Sequence, residues 1–379
     1  MAKDNKKISF LGYFLRLINI ILIIGLLLSY LAQWISPMYF WPIAFLGIAY
    51  PLLAIANFLF IIHWLFRRRK FAIYPTIALL IGIGMFSRFI GFGSNVELVN
   101  PKSSLKVLTY NVHVFSRFIK NHKGDTYYER DQIIDFVKKQ QPDVLCMQEF
   151  RNVSKGTKEN NIDKISKACG FKYHYAEHYS SDSKHFYQVI FSKYPIKYSG
   201  IVPSAEGTYE LTGIFTDLEI DNKIIRVYSV HLQSFQISSD TYLIKQNLNN
   251  LDITKEENQK KITKTSKHFA KKFKRAFTKR SSQIEALKDH MSTSAYPIIL
   301  AGDFNDTPSS YAYGQLTKDL DDSFVESGSG FGQTYIGPYP SFRIDFILHS
   351  PEINNLKFDT WKVKYSDHYP ISAVFSLGN

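Results

Sequence analysis

Cysteine is nearly absent from this 379-residue chain, which has only Cys146, inside the apolar run Val144-Leu-Cys-Met, and Cys169, before a glycine. Two cysteines exclude a disulfide framework and leave room for one bridge at most, and no zinc spacing is present; both residues read as structural. Charge is missing altogether from residues 17–66, fifty consecutive positions without Asp, Glu, Lys or Arg. That gap excludes ordinary helices of a soluble core, which keep a polar face. Acidic residues are scarce throughout the N-terminal part: residues 1–99 hold nine basic and two acidic side chains. No internal repeat or low-complexity tract interrupts the chain.

What fills the uncharged stretch is apolar. A helix needs about 20 apolar residues to cross the hydrocarbon of a bilayer, so residues 17–66 suffice for two crossings, with the turn at Ser36-Pro-Met-Tyr-Phe-Trp-Pro42. A third apolar run, Phe71 to Ser87, follows Arg67-Arg68-Arg69-Lys70, so three transmembrane helices are expected within residues 1–93. A signal peptide is the rival, but its apolar core of about 7–15 residues would not recur three times. Lys3, Lys6, Lys7 and Arg16 precede the first span and the Arg cluster precedes the third. The positive-inside rule then keeps both in the cytoplasm and sends everything beyond about Ser94 outside it, with Arg88 as the single dissenting charge. An integral protein of the inner or plasma membrane is expected. Residues 94–104 read as a linker reaching about 40 Å at most.

From Leu105 to Asn379 apolar runs alternate with amphipathic stretches. Strands are expected at Leu105 to Val112, Asp143 to Gln148, Phe186 to Ser192, Gly213 to Ile220, Ile224 to Val230, Ile298 to Ala301, Arg343 to Leu348 and Ile371 to Phe375. Helices are expected at Tyr128 to Gln140, around Ile162 to Ala168 and from about Gln259 to Met291. This mixture predicts one layered α/β domain over residues 105–379.

Six of the apolar runs are interrupted or flanked by polar residues. "KVLTYN" ends in Asn111, "DVLCMQE" in Glu149, "RVYSVHLQS" passes through His231, and "ILAGDFN" closes with Asp303 and Asn305. "FRIDFIL" sets Asp345 among apolar neighbours, and "YSDHYPISAVF" puts Asp367 and His368 just before the last strand. Each has a bland explanation alone. Asp303 and Asn305 suit a turn, Glu149 a solvated strand end, His231 a core histidine, and Asp345 a partner for Arg343. Together they are the parts of a phosphoryl-transfer site: carboxylates for a hard cation, amide donors and two histidines.

In sequence order, Asn111, Gln148-Glu149, His231-Leu232, Gly302-Asp303-Phe304-Asn305, Arg343-Ile344-Asp345 and Ser366-Asp367-His368 resemble the motif set of the endonuclease/exonuclease/phosphatase superfamily. That superfamily includes pancreatic-type deoxyribonucleases, abasic-site endonucleases, inositol polyphosphate 5-phosphatases and neutral sphingomyelinases. The resemblance runs from about Lys102 to Leu377 and leaves out the membrane segment. It implies a four-layer α/β sandwich of two packed mixed sheets flanked by helices, and a requirement for Mg²⁺ or Mn²⁺. It further implies Glu149 as main metal ligand, supported by Asn111 and Asp367. Asp303 would activate the attacking water and Asn305 would donate to a phosphoryl oxygen. His368, partnered by Asp345, would contact the scissile phosphate, and His231 would stabilise or protonate the leaving oxygen.

Lys255 to Arg280 holds eleven basic and two acidic residues, inside a helical insertion at about 235–292. Ile262, Phe269, Phe273, Phe277, Ile284, Leu287 and Met291 fall at helical spacing along it. The stripe packs on the domain with its lysines in water, or the helix contacts anionic lipid headgroups or a polyanionic substrate. Three functions remain open: a membrane-tethered phosphodiesterase or phosphatase acting on a lipid headgroup or small phosphoester outside the cytoplasm, a metal-dependent nuclease, and a non-catalytic binding scaffold.

Overall fold

The computed structural model describes residues 10–67, 69–93, 104–115, 118–120, 126–153, 160–178, 186–204, 211–235, 256–337 and 342–377. Most of the expected linker, Lys3, Lys6 and Lys7 near the N-terminus, and the first part of the insertion lie outside these residues. The uncharged run forms two long helices, Phe10–Leu31 and Ile43–Arg67, both long and apolar enough to cross a membrane.

The third expected span is corrected by the structure. Phe71 to Ser87 folds into two short helices, Ile73–Ile81 and Ile83–Phe86, parted at Gly82. Neither alone has the roughly 20 residues of a crossing. At the break Gly82 faces the first long helix, where Tyr30 packs so closely that a Cβ on Gly82 would meet its ring. The Gly82 N–H donates to the Leu79 carbonyl, and the Tyr30 hydroxyl donates to Ala78 at 2.9 Å. A carbonyl at the break thereby keeps a partner.

The strands, in chain order, begin with β1 (Ile90–Phe92), β2 (Ser104–Asn111), β3 (Phe118–Lys120), β4 (Thr126–Tyr128) and β5 (Val144–Arg151). There follow β6 (Tyr173–His178), β7 (Phe186–Ser192), β8 (Ile196–Val202), β9 (Gly213–Ile220), β10 (Lys223–His231) and β11 (Ile298–Asp303). The last are β12 (Asp321–Asp322), β13 (Ser329–Phe331), β14 (Asp345–His349), β15 (Asn354–Thr360) and β16 (Ile371–Ser376). Two six-stranded sheets result, ordered β15-β16-β2-β5-β7-β6 and β12-β14-β11-β10-β9-β8. Each is mixed, with one parallel pair at its centre, β2 with β5 and β10 with β11.

The sheets pack face to face through Leu105, Val107 and Cys146 on one side and Val227, Ile299, Ala301 and Ile347 on the other. Helices Glu129–Gln140 and Asn161–Cys169 cover the outer face of the first sheet. The C-terminal half of the Lys-rich helix, Glu256–Ser292, covers the second through Ile284, Leu287 and Met291. The result is helix, sheet, sheet, helix. Every expected strand is present within a few residues, whereas in the two large sheets the two-residue β12 and the longer β6, β8 and β15 were not anticipated. The three longer strands are sheet edges with half-exposed, mixed sequences, so no apolar run marks them. Both cysteines are free and buried.

The turn between the long helices docks on the soluble domain. Phe45 packs edge-on against Phe273 and Phe277 of the Lys-rich helix, and the Ser36 and Ser281 hydroxyls lie 2.8 Å apart. Arg67 closes the second long helix at its opposite end. Leaving the broken third segment, β1 pairs with β13 of the domain.

Candidate active site

Period-two alternation builds the site. Along β10, Ile225 and Val227 face the inter-sheet core while Tyr228 and Val230 face outward, so Ser229 and His231 continue the inward row. On β11, Ile299 and Ala301 face inward and Asp303 comes next; on antiparallel β14, Ile347 precedes Asp345 on the same face. Register aligns His231 with Asp303 and Asp303 with Asp345 across three neighbouring strands. On the other sheet, Leu105 and Val107 lead inward to Thr109 and Asn111. Four inward rows thus begin apolar and end polar at one rim.

Glu149 joins them through a backbone irregularity. Its neighbour Gln148 points between the sheets and donates to Ser229 at 3.0 Å, whereas Phe150 packs outward. Between Met147 and Phe150 the register with β7 slips, and Glu149 adopts φ 49°. An extra residue in a strand re-aims a side chain in this way, and here the carboxylate turns to the rim. Gly302, at φ 144°, must be glycine because a Cβ would collide with the Val230 carbonyl. That contact lets β11 carry Asp303 flush beside His231.

The side chains meet closely. Asn111 Nδ2 donates to Asp303 at 3.0 Å and to Glu149 at 3.2 Å. His231 Nε2 lies 3.5 Å from Glu149 and 3.6 Å from Asp303. His368 Nδ1 is 2.9 Å from Asp345, and its Nε2 is 3.8 Å from Asp303 and 4.0 Å from Asp367. The Asn305 backbone N–H donates to Asp303 at 2.8 Å, and its amide donates to Asp303 and to the Leu232 carbonyl. Ser366 holds the Asp367–His368 turn against β2 by donating to the Asn111 carbonyl at 2.8 Å. All eight expected residues therefore share one rim. Arg343 does not pair with Asp345; it forms a buried ion pair with Asp322.

Asn111, His231, Asp303, Asp345 and His368 are buried, while Glu149, Asn305 and Asp367 are half-buried and form the open edge. Burial works against the Glu149 carboxylate, but a hydrogen bond from His113 and the neighbouring imidazoles hold it down to about 2. Burial pulls His368 down too, and the Asp345 and Asp303 carboxylates more than offset this, taking it up to about 10. Burial raises the carboxyl of Asp303, partly countered by His368.

His113 was not anticipated. Its Nδ1 sits 3.5 Å from both Glu149 and Asp367, and the only signal was its place two residues after Asn111. Also missed was Arg280, buried at the end of the basic run and bonded to Asp306 at 3.0 Å. Arg280 fastens the helix to the site loop, whereas Lys264, Lys267, Lys271, Lys274 and Arg275 are exposed, as in the reading that packs the apolar stripe on the domain with the lysines in water.

The donor set suits a hard cation. Glu149 and Asp367 offer carboxylate oxygens that both approach the same His113 nitrogen, so they converge, and such oxygens match Mg²⁺ or Mn²⁺. Asp303, Asp345 and His368 form a second, buried grouping with ligand atoms within 4.8 Å of one another.

The family model described as Endonuclease/Exonuclease/phosphatase family matches residues 108–368. The chain belongs to this family. A second model, described as a domain of unknown function, matches residues 12–89. No curated protein matches the sequence. Among solved structures, the mannosyl-6-phosphatase of Bacteroides thetaiotaomicron shares 15% identity over 72% of this chain and 99% of its own, with TM-score 0.48. The human Nocturnin catalytic domain shares 16% identity over 74% and 95%, with TM-score 0.49. A family protein from Leptotrichia buccalis shares 16% over 71% and 98%, with TM-score 0.48.

Proposed function

We propose that this chain is a membrane-anchored, divalent-metal-dependent phosphoester hydrolase acting on a lipid headgroup or small phosphoester outside the cytoplasm. The observation that carries the reading is the convergence of His231, Asp303 and Asp345 in one cross-strand row with Asn111, Glu149, Asp367 and His368 at the facing rim. Glu149 and Asp367 would hold Mg²⁺ or Mn²⁺, with Asn111 bridging Glu149 and Asp303. A bound ion would supply charge neutralisation at phosphoryl oxygens.

The remaining steps belong to the chain's own groups. Asp303 takes a proton from the attacking water, held in place by Asn111 and Asn305. Both amide hydrogens of Asn305 are already engaged, so it aims the base and reaches a phosphoryl oxygen only by giving up one of those bonds. His368, kept charged and oriented by Asp345, stabilises the dianionic transition state, and His231 donates to the leaving oxygen.

Membrane attachment is supported by the long helices themselves. They leave Leu17, Ile21, Leu52, Ile55 and Leu59 exposed, which only an apolar surrounding tolerates in such density. After Arg67 the broken third segment runs back alongside the long helices, from Phe71 beside Arg16 to Arg88 beside Gln33. The domain thus docks at the helix ends away from Arg67, the end that the positive-inside rule assigns to the outside. The site rim therefore works close to the outer bilayer surface.

The deciding assay uses the full chain in detergent or nanodiscs with Mg²⁺ or Mn²⁺. Release is measured from a soluble diester, a monoester, plasmid DNA, a sphingolipid and an inositide, with Asp303→Ala as blank. Metal-dependent turnover on a lipid or small phosphoester, lost by about 10²–10⁴-fold in the variant, is the expected result. Turnover of DNA alone moves the assignment to a nuclease. Equal rates for wild type and Asp303→Ala refute the site.

A further inference from the structure

We propose that the membrane segment is a positioning element of the active site, holding the loop that carries Asp303 and Asn305. This rests on the catalytic reading of those two residues. The loop runs from the end of β11 to the short helix Tyr311–Leu316, and its far side is fastened to the anchor. The buried Ser309 hydroxyl donates to the Gly47 carbonyl in the second long helix at 2.7 Å and lies 3.0 Å from the Thr307 hydroxyl. Gln315 donates to the Gln33 carbonyl at 3.0 Å.

Arg88, at the end of the broken segment, reaches Gln33 at 3.0 Å and the Pro308 carbonyl at 3.4 Å, with its guanidinium over the Tyr313 ring. This engagement accounts for the one basic residue that contradicted the charge rule. In the middle of the loop Asp306 pairs with Arg280, next to the Ser281 that meets Ser36 of the inter-helix turn. Ties to the anchor thus fall within a dozen residues of Asp303.

Two glycines permit this closeness. A Cβ at Gly47 would stand 2.9 Å from the Ala32 Cβ and 3.1 Å from the Ser309 carbonyl oxygen, and one at Gly314 would stand 2.6 Å from the Gln33 Cβ. Backbone therefore lies against backbone at the junction. On the domain side the loop is buried and held at Asp306 by Arg280, and a catalytic base must be held within about 0.5 Å. The anchor supplies the second set of ties, so attachment and catalysis are coupled through Ser309, Pro308 and Gln315.

The test is a wedge in the full-length protein in detergent. Gly47→Leu pushes the long helix from the loop, and Gly47→Ala is the milder version should the leucine prevent production. Gly84→Leu is the control, because a Cβ there meets nothing within 4 Å. Amide hydrogen exchange of the peptide 303–312 is measured beside kcat and KM for bis(4-nitrophenyl) phosphate with Mn²⁺. The wedge is expected to speed exchange in that peptide and to lower kcat about tenfold or more, with KM changed less than about threefold. The control should match wild type. Unchanged exchange in both Gly47 variants overturns the proposal, as does faster exchange with undiminished kcat. A wild type that hydrolyses nothing condemns the catalytic assignment, while the exchange result still decides whether the anchor holds the loop.

Discussion

Replacing Arg280 by methionine breaks the fastening between the Lys-rich helix and the site loop, and the consequence can be worked through. The side chain is 1% exposed. It donates to Asp306 at 3.0 Å and to the Gln233 carbonyl at 2.8 Å, and its guanidinium lies over the Phe235 and Phe277 rings. Burial lowers the pKa of Arg280 and raises that of Asp306, and their mutual attraction offsets part of each. Methionine keeps most of the packing, so the main loss is an uncompensated buried carboxylate, about 3–5 kcal/mol.

Asp306 escapes that cost by taking up a proton, which raises its folded pKa further above the unfolded value of about 4. Above that unfolded value the folded variant then holds a proton that the unfolded chain has released. Stability therefore falls as pH rises, by up to about 1.4 kcal/mol per pH unit, until the folded pKa is passed. Relative to wild type, the deficit should be up to about 2–3 kcal/mol larger at pH 7 than at pH 5. Thermal melts of the full chain in detergent should show a Tm lowered by roughly 6–20 °C at pH 7, taking about 2–4 °C per kcal/mol. Arg280→Met combined with Asp306→Asn keeps the acceptor for the Thr307 N–H and removes the charge, so the pH-dependent part of the deficit should vanish. A single variant within about 2 °C of wild type at both pH values, or a deficit identical at the two, refutes the reasoning.

Two further outcomes are expected. His368→Gln and Asp345→Asn should each lower kcat, and the double variant should cost little more than His368→Gln alone, since the pair at 2.9 Å acts as a unit. With Asp345 neutralised, His368 loses the carboxylate that carries it to about 10, so the alkaline limb of the rate profile should move to lower pH; strict additivity with an unmoved limb would count against the pairing. For topology, single cysteines at Lys264 and at Arg67 should differ in intact cells or spheroplasts: a membrane-impermeant maleimide labels the first and spares the second. The reverse pattern would place the domain in the cytoplasm.

Much of the site was legible because polar residues end or interrupt apolar runs: His231 follows the run 224–230 and Asp303 the run 298–301. The edge strands β6, β8 and β15 were not, because a half-solvated edge needs no apolar run. His113 carried no periodic signal. Arg280 was one of eleven basic residues in a run, and nothing local separates the one that is buried from those that face water.

By itself the sequence determined the apolar N-terminal helices, the layered α/β character and the polar ends of the inward strand faces. These follow from local rules: length against bilayer thickness, and a side-chain period of two. Tertiary structure alone decided that the third segment breaks at Gly82 beside Tyr30, that Glu149 turns to the rim at a bulge, and that Gly47 and Arg88 grip the loop behind Asp303. Such contacts join residues up to 262 positions apart. They are settled by which surfaces meet when the layers pack, and no pattern within a single segment encodes that choice.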